Sequence, residues 1–99
     1  KPFLLNEEAA AGLEGVYSVD FPGTDRMKVE IREGKLQANM AQIDNDFAED
    51  GWFTISPLND TEYYNTNSFR PYSFQVDSTG QATTVLMKRT ELLFTGKKQ

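Results

Sequence analysis

The region from Arg26 to Ala41 alternates apolar and polar residues with a period of two. Its apolar positions are Met27, Val29, Ile31, Leu36, Ala38 and Met40. Such alternation is typical of β-strands that have one buried and one solvent-facing side. It is interrupted at Glu33–Gly34, where the glycine can adopt the positive φ that a two-residue hairpin turn requires. The pattern therefore predicts an antiparallel hairpin whose apolar face is covered by the rest of the chain.

Similar short segments, separated by turn residues, fill most of the remaining sequence. With the hairpin they predict eight strands, of which the other six are Gly15–Val19, Trp52–Leu58, Thr61–Thr66, Pro71–Val76, Ala82–Arg89 and Glu91–Thr95. Strands at this spacing indicate a small all-β barrel or sandwich, and consecutive hairpins without crossover helices favour an eight-stranded antiparallel up-and-down barrel. We expect the side chains of Val29, Ile31, Leu36, Phe74 and Val76 to share one interior.

A short helix is predicted before the first strand. Asn6 is a suitable N-cap, the two glutamates that follow suit the positive end of the helix dipole, and Gly12 suits the C-terminal end. The residues expected to dock this helix on one end of the sheet are Phe3, Leu4, Leu5 and Leu13. With 99 residues the chain has room for one core, so we predict a single domain at 1–99, with an arm and helix at 1–12 and the barrel at 13–95.

Composition excludes several classes of function. Ten Lys and Arg residues against 15 Asp and Glu give a net charge of −5, so neither nucleic acid nor an anionic membrane surface is an expected partner. The apolar runs are too short for insertion across a membrane. The chain has no Cys and no His, which excludes thiolate catalysis and removes the commonest general base and metal ligand. We expect no cofactor, no metal and no catalytic residue in this chain.

The acidic segment from Asp44 to Gly51 invites a calcium interpretation, because four carboxylates fall within seven residues. A calcium-binding loop of the EF-hand type needs an oxygen ligand at its fifth position and glycine at its sixth. Counted from Asp44, these positions hold Ala48 and Glu49. The segment is therefore predicted to be a solvated acidic loop.

Tyr63-Tyr64-Asn65 matches the Tyr-x-Asn triplet of serine β-lactamases and penicillin-binding proteins. That chemistry also requires a Ser-x-x-Lys nucleophile and a Lys-Thr-Gly triplet. The sequence contains neither, so the triplet is interpreted as part of a strand.

The second half of the chain is rich in aromatic residues, which could line a ligand cavity or simply fill the core of a small barrel. Adjacent residues of a strand point to opposite faces, so one member of Trp52–Phe53 and one of Tyr63–Tyr64 must lie outside the barrel or beneath the helix. We predict a ligand-binding or interface patch of aromatic residues, formed by Trp52, Tyr64, Phe69 and Tyr72.

Four segments resemble a small lipocalin-like β-barrel domain found C-terminal to β-lactamase-related serine hydrolases and some peptidases. They are Leu13–Tyr17 (Leu…Gly-x-Tyr), Met27–Leu36, Ser56–Tyr64 (Pro-Leu-x-x-Thr-x-Phe-Phe) and Phe74–Ala82 (Phe-x-x-Asp-x-x-Gly). The resemblance spans residues 13–95. It departs from the family at Lys88–Glu91, where a Gly-rich turn is usual.

The resemblance implies a non-catalytic accessory domain of an exported bacterial hydrolase or peptidase, with the catalytic serine in another domain. Its expected partners are the parent catalytic domain or a second copy, and its expected location is extracytoplasmic. The chain would then be a piece of a longer protein. The alternative is a small carrier that holds an apolar ligand inside the barrel, which requires an internal cavity larger than about 300 Å³.

Overall fold

The computed structural model describes residues 4–21, 23–42, 45–65, 70–88 and 92–99. In these residues, eight antiparallel strands follow one another around a closed barrel in chain order, β1 to β8, and β8 pairs with β1. The elements are α1 Glu7–Ala11, β1 Gly15–Phe21, β2 Thr24–Arg32, β3 Lys35–Ala41, β4 Phe53–Pro57, β5 Glu62–Asn65, β6 Arg70–Val76, β7 Ala82–Lys88 and β8 Leu92–Lys98. The predicted all-β up-and-down barrel is confirmed.

The hairpin of β2 and β3 has the register that the alternating pattern predicts. Arg32 pairs with Lys35 across the turn, and the ladder continues without a bulge to Arg26 and Ala41. Both turn residues have positive φ, +54° at Glu33 and +75° at Gly34. This is the primed turn whose twist matches that of the flanking strands.

Three of the five predicted core residues, Val29, Leu36 and Phe74, are fully buried in the barrel interior. Ile31 is only half-buried. The pairing of β1 with β2 ends at Gly15↔Val29, so no residue of β1 lies beside Ile31. The prediction for Val76 is wrong, since its side chain is 42% exposed. A register shift between Gln75 and Val76 in the β6–β7 ladder breaks the alternation at this point.

Helix α1 closes the end of the barrel at which β1 begins. Asn6 is its N-cap, and the Asn6 Oδ1 atom accepts hydrogen bonds from the backbone N–H groups of Glu8 and Ala9. Gly12 comes directly after the helix and packs against the β6–β7 turn. A Cβ on Gly12 would lie 2.0 Å from the Gly80 carbonyl oxygen, so no other residue fits there without a shift. The Gly12 carbonyl accepts a hydrogen bond from the Ala82 amide at 2.8 Å.

The docking residues predicted for the helix behave differently from one another. Leu13 is fully buried in the core. Leu5 is half-buried and packs against the core cluster. Leu4 is 78% exposed, so its predicted docking role is wrong. Phe3 lies outside the described residues.

No helix in the part of the chain that the structure describes has the length and apolar character needed to cross a membrane.

Candidate functional site

The ladder between β3 and β4 is short, and this shortness creates a cleft in the barrel wall. The two strands pair only at Gln37↔Thr54 and Ala38↔Phe53. Towards the β2–β3 turn they diverge, and a cleft of about 580 Å³ opens between them. It is lined by Leu5, by residues 34–36 of the hairpin and by residues 52–57.

The local sequence explains where β4 ends. Pro57 has no N–H to donate to a ladder, which is a usual reason for a strand to end or to lie at an edge. Immediately after it, the Asn59 side chain accepts hydrogen bonds from the amides of Thr61 and Glu62. This turn directs the chain into β5, whose register with β4 runs from Pro57↔Tyr63 to Ile55↔Asn65.

The floor of the cleft is apolar and part of the core. Leu36 and Ile55 are fully buried there, and Phe53 packs half-buried against the core cluster. Among the described lining residues, Lys35 is the single charged one. The cleft thus combines this apolar floor with polar groups of Lys35, Thr54 and Ser56.

Trp52 forms one wall of the cleft and is held by a cation–π contact. The guanidinium carbon of Arg32 lies 4.3 Å from the centroid of the indole ring. Arg32 also forms an ion pair with Glu30 at 3.4 Å, and both groups are solvent-accessible. The arginine therefore orients the indole at the cleft entrance.

Two exposed leucines are next in sequence to residues that line the cleft. The described residues include three large apolar side chains with substantial solvent exposure, namely Leu4, Leu58 and Val76. Leu4 (78% exposed) precedes the lining residue Leu5, and Leu58 (55% exposed) follows the lining residue Pro57.

The four aromatic residues predicted to form one patch do not all lie together. Trp52 lines the cleft. Tyr64 is half-buried on β5 opposite Ser56, which also lines the cleft. Tyr72 is 2% exposed inside the barrel, so it cannot belong to a surface patch, since its strand turns this position inwards. Phe69 lies outside the described residues.

The interior that surrounds Tyr72 is filled by aromatic packing. Phe74 makes edge-to-face contacts with Tyr17 and Tyr63, with ring centroids 5.9 and 5.8 Å away. Burial raises the pKa of all three interior tyrosines, and that of Tyr63 to about 12, where the nearby Asp60 carboxylate adds to the effect. The Tyr17 hydroxyl donates to the Leu13 carbonyl at 2.6 Å. Of the two predicted roles for the aromatic residues, this set fills the core.

The acidic loop after β3 lies against the outer face of the β2–β3 hairpin. Phe47 packs beneath the cationic groups of Arg26 and Lys28, which are 5.2 and 5.7 Å from its ring centroid. The buried Asn39 side chain donates from Nδ2 to the Ala48 carbonyl at 2.7 Å. The loop is therefore fastened to the barrel by contacts that its composition did not suggest.

Across the described ranges, the acidic side chains form no group of three or more that could hold a metal ion. Asp44, with which the acidic segment begins, lies outside those ranges.

Sequence reasoning identified Trp52 but missed most of the cleft. Leu5 was assigned to helix docking and Leu36 to the core, and both also line the cleft. Pro57 was the one available signal, because proline within a strand points to an edge or a gap in pairing.

Comparisons with protein-family models, with curated proteins and with solved structures found no match.

Proposed function

We propose that this barrel is a non-catalytic accessory domain of a larger β-lactamase-related serine hydrolase or peptidase, and that the cleft between β3 and β4 is its contact surface. The observation that carries the proposal is the cleft itself, which has the apolar side chains of Leu36 and Ile55 on its floor and two exposed leucines next in sequence to its lining residues. Exposed apolar side chains beside a concave surface are a common feature of protein interaction sites.

The sequence resemblance supports the hydrolase parent, and with it an extracytoplasmic location. The residues that carry the resemblance have structural roles in this barrel. Tyr17 hydrogen-bonds to Leu13, and the Asp77 carboxylate accepts from the amides of Thr79 and Gln81 in the β6–β7 turn. The resemblance therefore concerns the barrel, and the chemistry of the parent protein belongs to its other domain.

The accessory role is tested on the protein in its native source. An antibody against this barrel should recover a polypeptide larger than 11.2 kDa that reacts with a fluorophosphonate probe of serine hydrolases. The pure chain alone should neither react with the probe nor turn over ester and β-lactam reporters. Recovery of an 11.2 kDa polypeptide only, or turnover by the pure chain that a point mutation abolishes, would overturn the proposal.

A second candidate function is the binding of a small apolar molecule. The observation that favours it is the size of the cleft, since about 580 Å³ falls within the range of about 300–1,000 Å³ that is usual for small-ligand sites. The ligand would lie in the barrel wall and not in the lumen, where the aromatic side chains pack.

Trp52 is the single tryptophan of the chain, so its fluorescence reports on occupancy of the cleft. Titration with a medium-chain fatty acid should change this fluorescence and saturate, and the response should be lost in Leu5→Asp and kept in Val76→Asp. An equal response in both variants, or no response in the unaltered chain, would contradict binding in the cleft.

A further inference from the structure

Residues 45–51 lie between β3 and β4 and fold back over the outer face of the hairpin, and we call them the flap. The Ala48 carbonyl anchors the flap, since it accepts hydrogen bonds from Asn39 Nδ2 at 2.7 Å and from the Gly51 amide at 3.0 Å. The Phe47 ring adds its two cation–π contacts with the hairpin. The flap is therefore held to the barrel by one buried side chain and one aromatic ring.

The contact between the flap and Asn39 also has an unfavourable part. Asn39 is 1% exposed, yet its Oδ1 atom accepts no hydrogen bond from the described residues. Gly51 closes over this oxygen, because a Cβ on Gly51 would lie 2.8 Å from it. A carbonyl oxygen that is buried without a donor keeps the full cost of its desolvation, and solvent reaches this one only when the flap lifts. The favourable contacts of Ala48 and Phe47 are thus opposed at Asn39.

The flap ends where one wall of the cleft begins. Gly51 is followed directly by Trp52, which lines the cleft and contacts Arg32. Trp52 lies between the flap and β4, which starts at Phe53, so no strand position separates it from Gly51. Because the two residues share a peptide bond, a displacement of Gly51 moves the backbone of Trp52.

We propose that the flap opens locally while the barrel stays folded, and that its opening moves Trp52 away from its place in the cleft wall. Asn39 sets the balance, since its Nδ2 atom holds the flap closed and its Oδ1 atom gains a hydrogen bond to water when the flap lifts. The shape of the cleft then depends on the state of the flap. This motion belongs to the chain itself and requires no hydrolase parent.

Amide hydrogen exchange of the unaltered chain is the first test. The Gly51 amide is bonded within the flap, whereas Val29 lies in a central strand that pairs on both sides. Measured against their intrinsic rates, we expect Gly51 to exchange at least about 100-fold faster than Val29 and with little dependence on low urea, because local opening exposes little surface. Equal protection and equal urea dependence at the two amides would show that the flap opens only with global unfolding, and would overturn the proposal.

Phe47→Ala tests the link to the cleft, because it removes the ring contacts and leaves the Ala48 anchor in place. It should speed Gly51 exchange about tenfold or more and raise acrylamide quenching of the single tryptophan about twofold, while Val29 stays protected. Leu58→Ala is the matched control, since it removes an exposed apolar side chain just after the other end of β4 and should leave both quantities unchanged.

Faster Gly51 exchange with unchanged quenching of Trp52 would overturn the link between flap and cleft. Unchanged Gly51 exchange in Phe47→Ala would overturn the role of the ring in holding the flap. Phe47→Leu keeps an apolar side chain of similar size without the aromatic face, so it serves for the same two measurements if the alanine variant does not fold.

Discussion

At the scale of single residues, the interior depends on tyrosines that must stay neutral. Tyr17, Tyr63 and Tyr72 are buried, and burial raises the pKa of each hydroxyl above its ordinary value near 10. The unfolded chain therefore ionises its tyrosines at lower pH than the folded barrel does. Their contribution to stability is fully present below about pH 10 and is lost as the pH rises through the folded-state values.

Tyr63→Phe tests this at one position. Burial raises the pKa of Tyr63 to about 12. The stabilisation that its neutral hydroxyl gives the folded state is therefore lost as the pH rises from about 10 to about 12. The phenylalanine ring keeps the edge-to-face contact with Phe74 but cannot ionise. We expect the free energy of unfolding, measured by urea denaturation from about pH 8 to 11.5, to fall less steeply with pH in the variant. The two slopes should differ by at most the amount that the release of one proton on unfolding accounts for. Parallel curves for the two proteins would contradict the assignment.

Glu33 holds a backbone conformation that suits other residues better. Its φ of +54° lies in the left-handed region, which costs a residue with a Cβ about 1–2 kcal/mol and which asparagine tolerates more easily. Glu33→Asn should therefore raise the free energy of unfolding by about 1 kcal/mol, seen as a higher urea midpoint. Glu33→Ala removes the same charge without relieving the backbone and should stay within about 0.5 kcal/mol of the unaltered chain. A similar gain in both variants would assign the effect to charge.

Residue patterns predicted the turn at Gly34 and the Asn6 cap, because both depend on local conformation and neighbouring amides. They could not predict that Asn39 is buried. Its place on the outer face of β3 suggested exposure, and it is covered only because the loop that ends at Gly51 folds back over the hairpin. Local propensity carries no information about which outer face a distant loop will cover.

At the scale of elements, the β2–β3 hairpin contains a matched pair of aliphatic residues in different surroundings. Ile31 and Leu36 are direct cross-strand partners of equal size, yet Leu36 is fully buried and Ile31 half-buried. Leu36→Ala should destabilise the barrel by about 2–5 kcal/mol, as is usual for a buried aliphatic side chain. Ile31→Ala should cost about half as much or less, because part of its surface is already in water. Equal losses in chemical denaturation would show that Ile31 is covered in solution.

The cleft also belongs to the element scale, and little in the residue pattern indicates it. Alternation predicts which face of β3 and β4 is buried, but it does not say how many residues the two strands pair over. The two strands pair only at Gln37↔Thr54 and Ala38↔Phe53, and no feature of either strand's own residue pattern sets that number. The existence of both strands was predictable, and their divergence was not.

At the scale of the whole molecule, closure of the barrel depends on the last strand. The predicted strand ended at Thr95, one residue before Gly96. In the structure β8 continues to Lys98, and the pairs that close the barrel on β1 are Val19↔Gly96, Ser18↔Lys97 and Tyr17↔Lys98. The pattern predicted the number of strands correctly. It did not predict that β8 continues through Gly96, where the chain packs closely between Val19 and Val85.

Gly96 pairs with Val19 of β1 on one side and with Val85 of β7 on the other. Because glycine has no side chain, both valine side chains fit beside it. A Cβ at this position would lie 2.7 Å from a methyl carbon of Val19 and from one of Val85. Gly96→Ala should therefore destabilise the barrel by about 1–3 kcal/mol through overpacking.

Val85→Ala alone should also destabilise the barrel, because it leaves a cavity in the core beside Gly96. The double variant returns a methyl group to the vacated space, so its loss of unfolding free energy should be smaller than the sum of the single losses by about 0.5–3 kcal/mol. The control pairs Gly96→Ala with Ile55→Ala on β4, four strands away around the barrel, where the losses should add. Additive losses in the Gly96–Val85 pair would show that the two positions do not interact and that Val85 does not limit the space at Gly96.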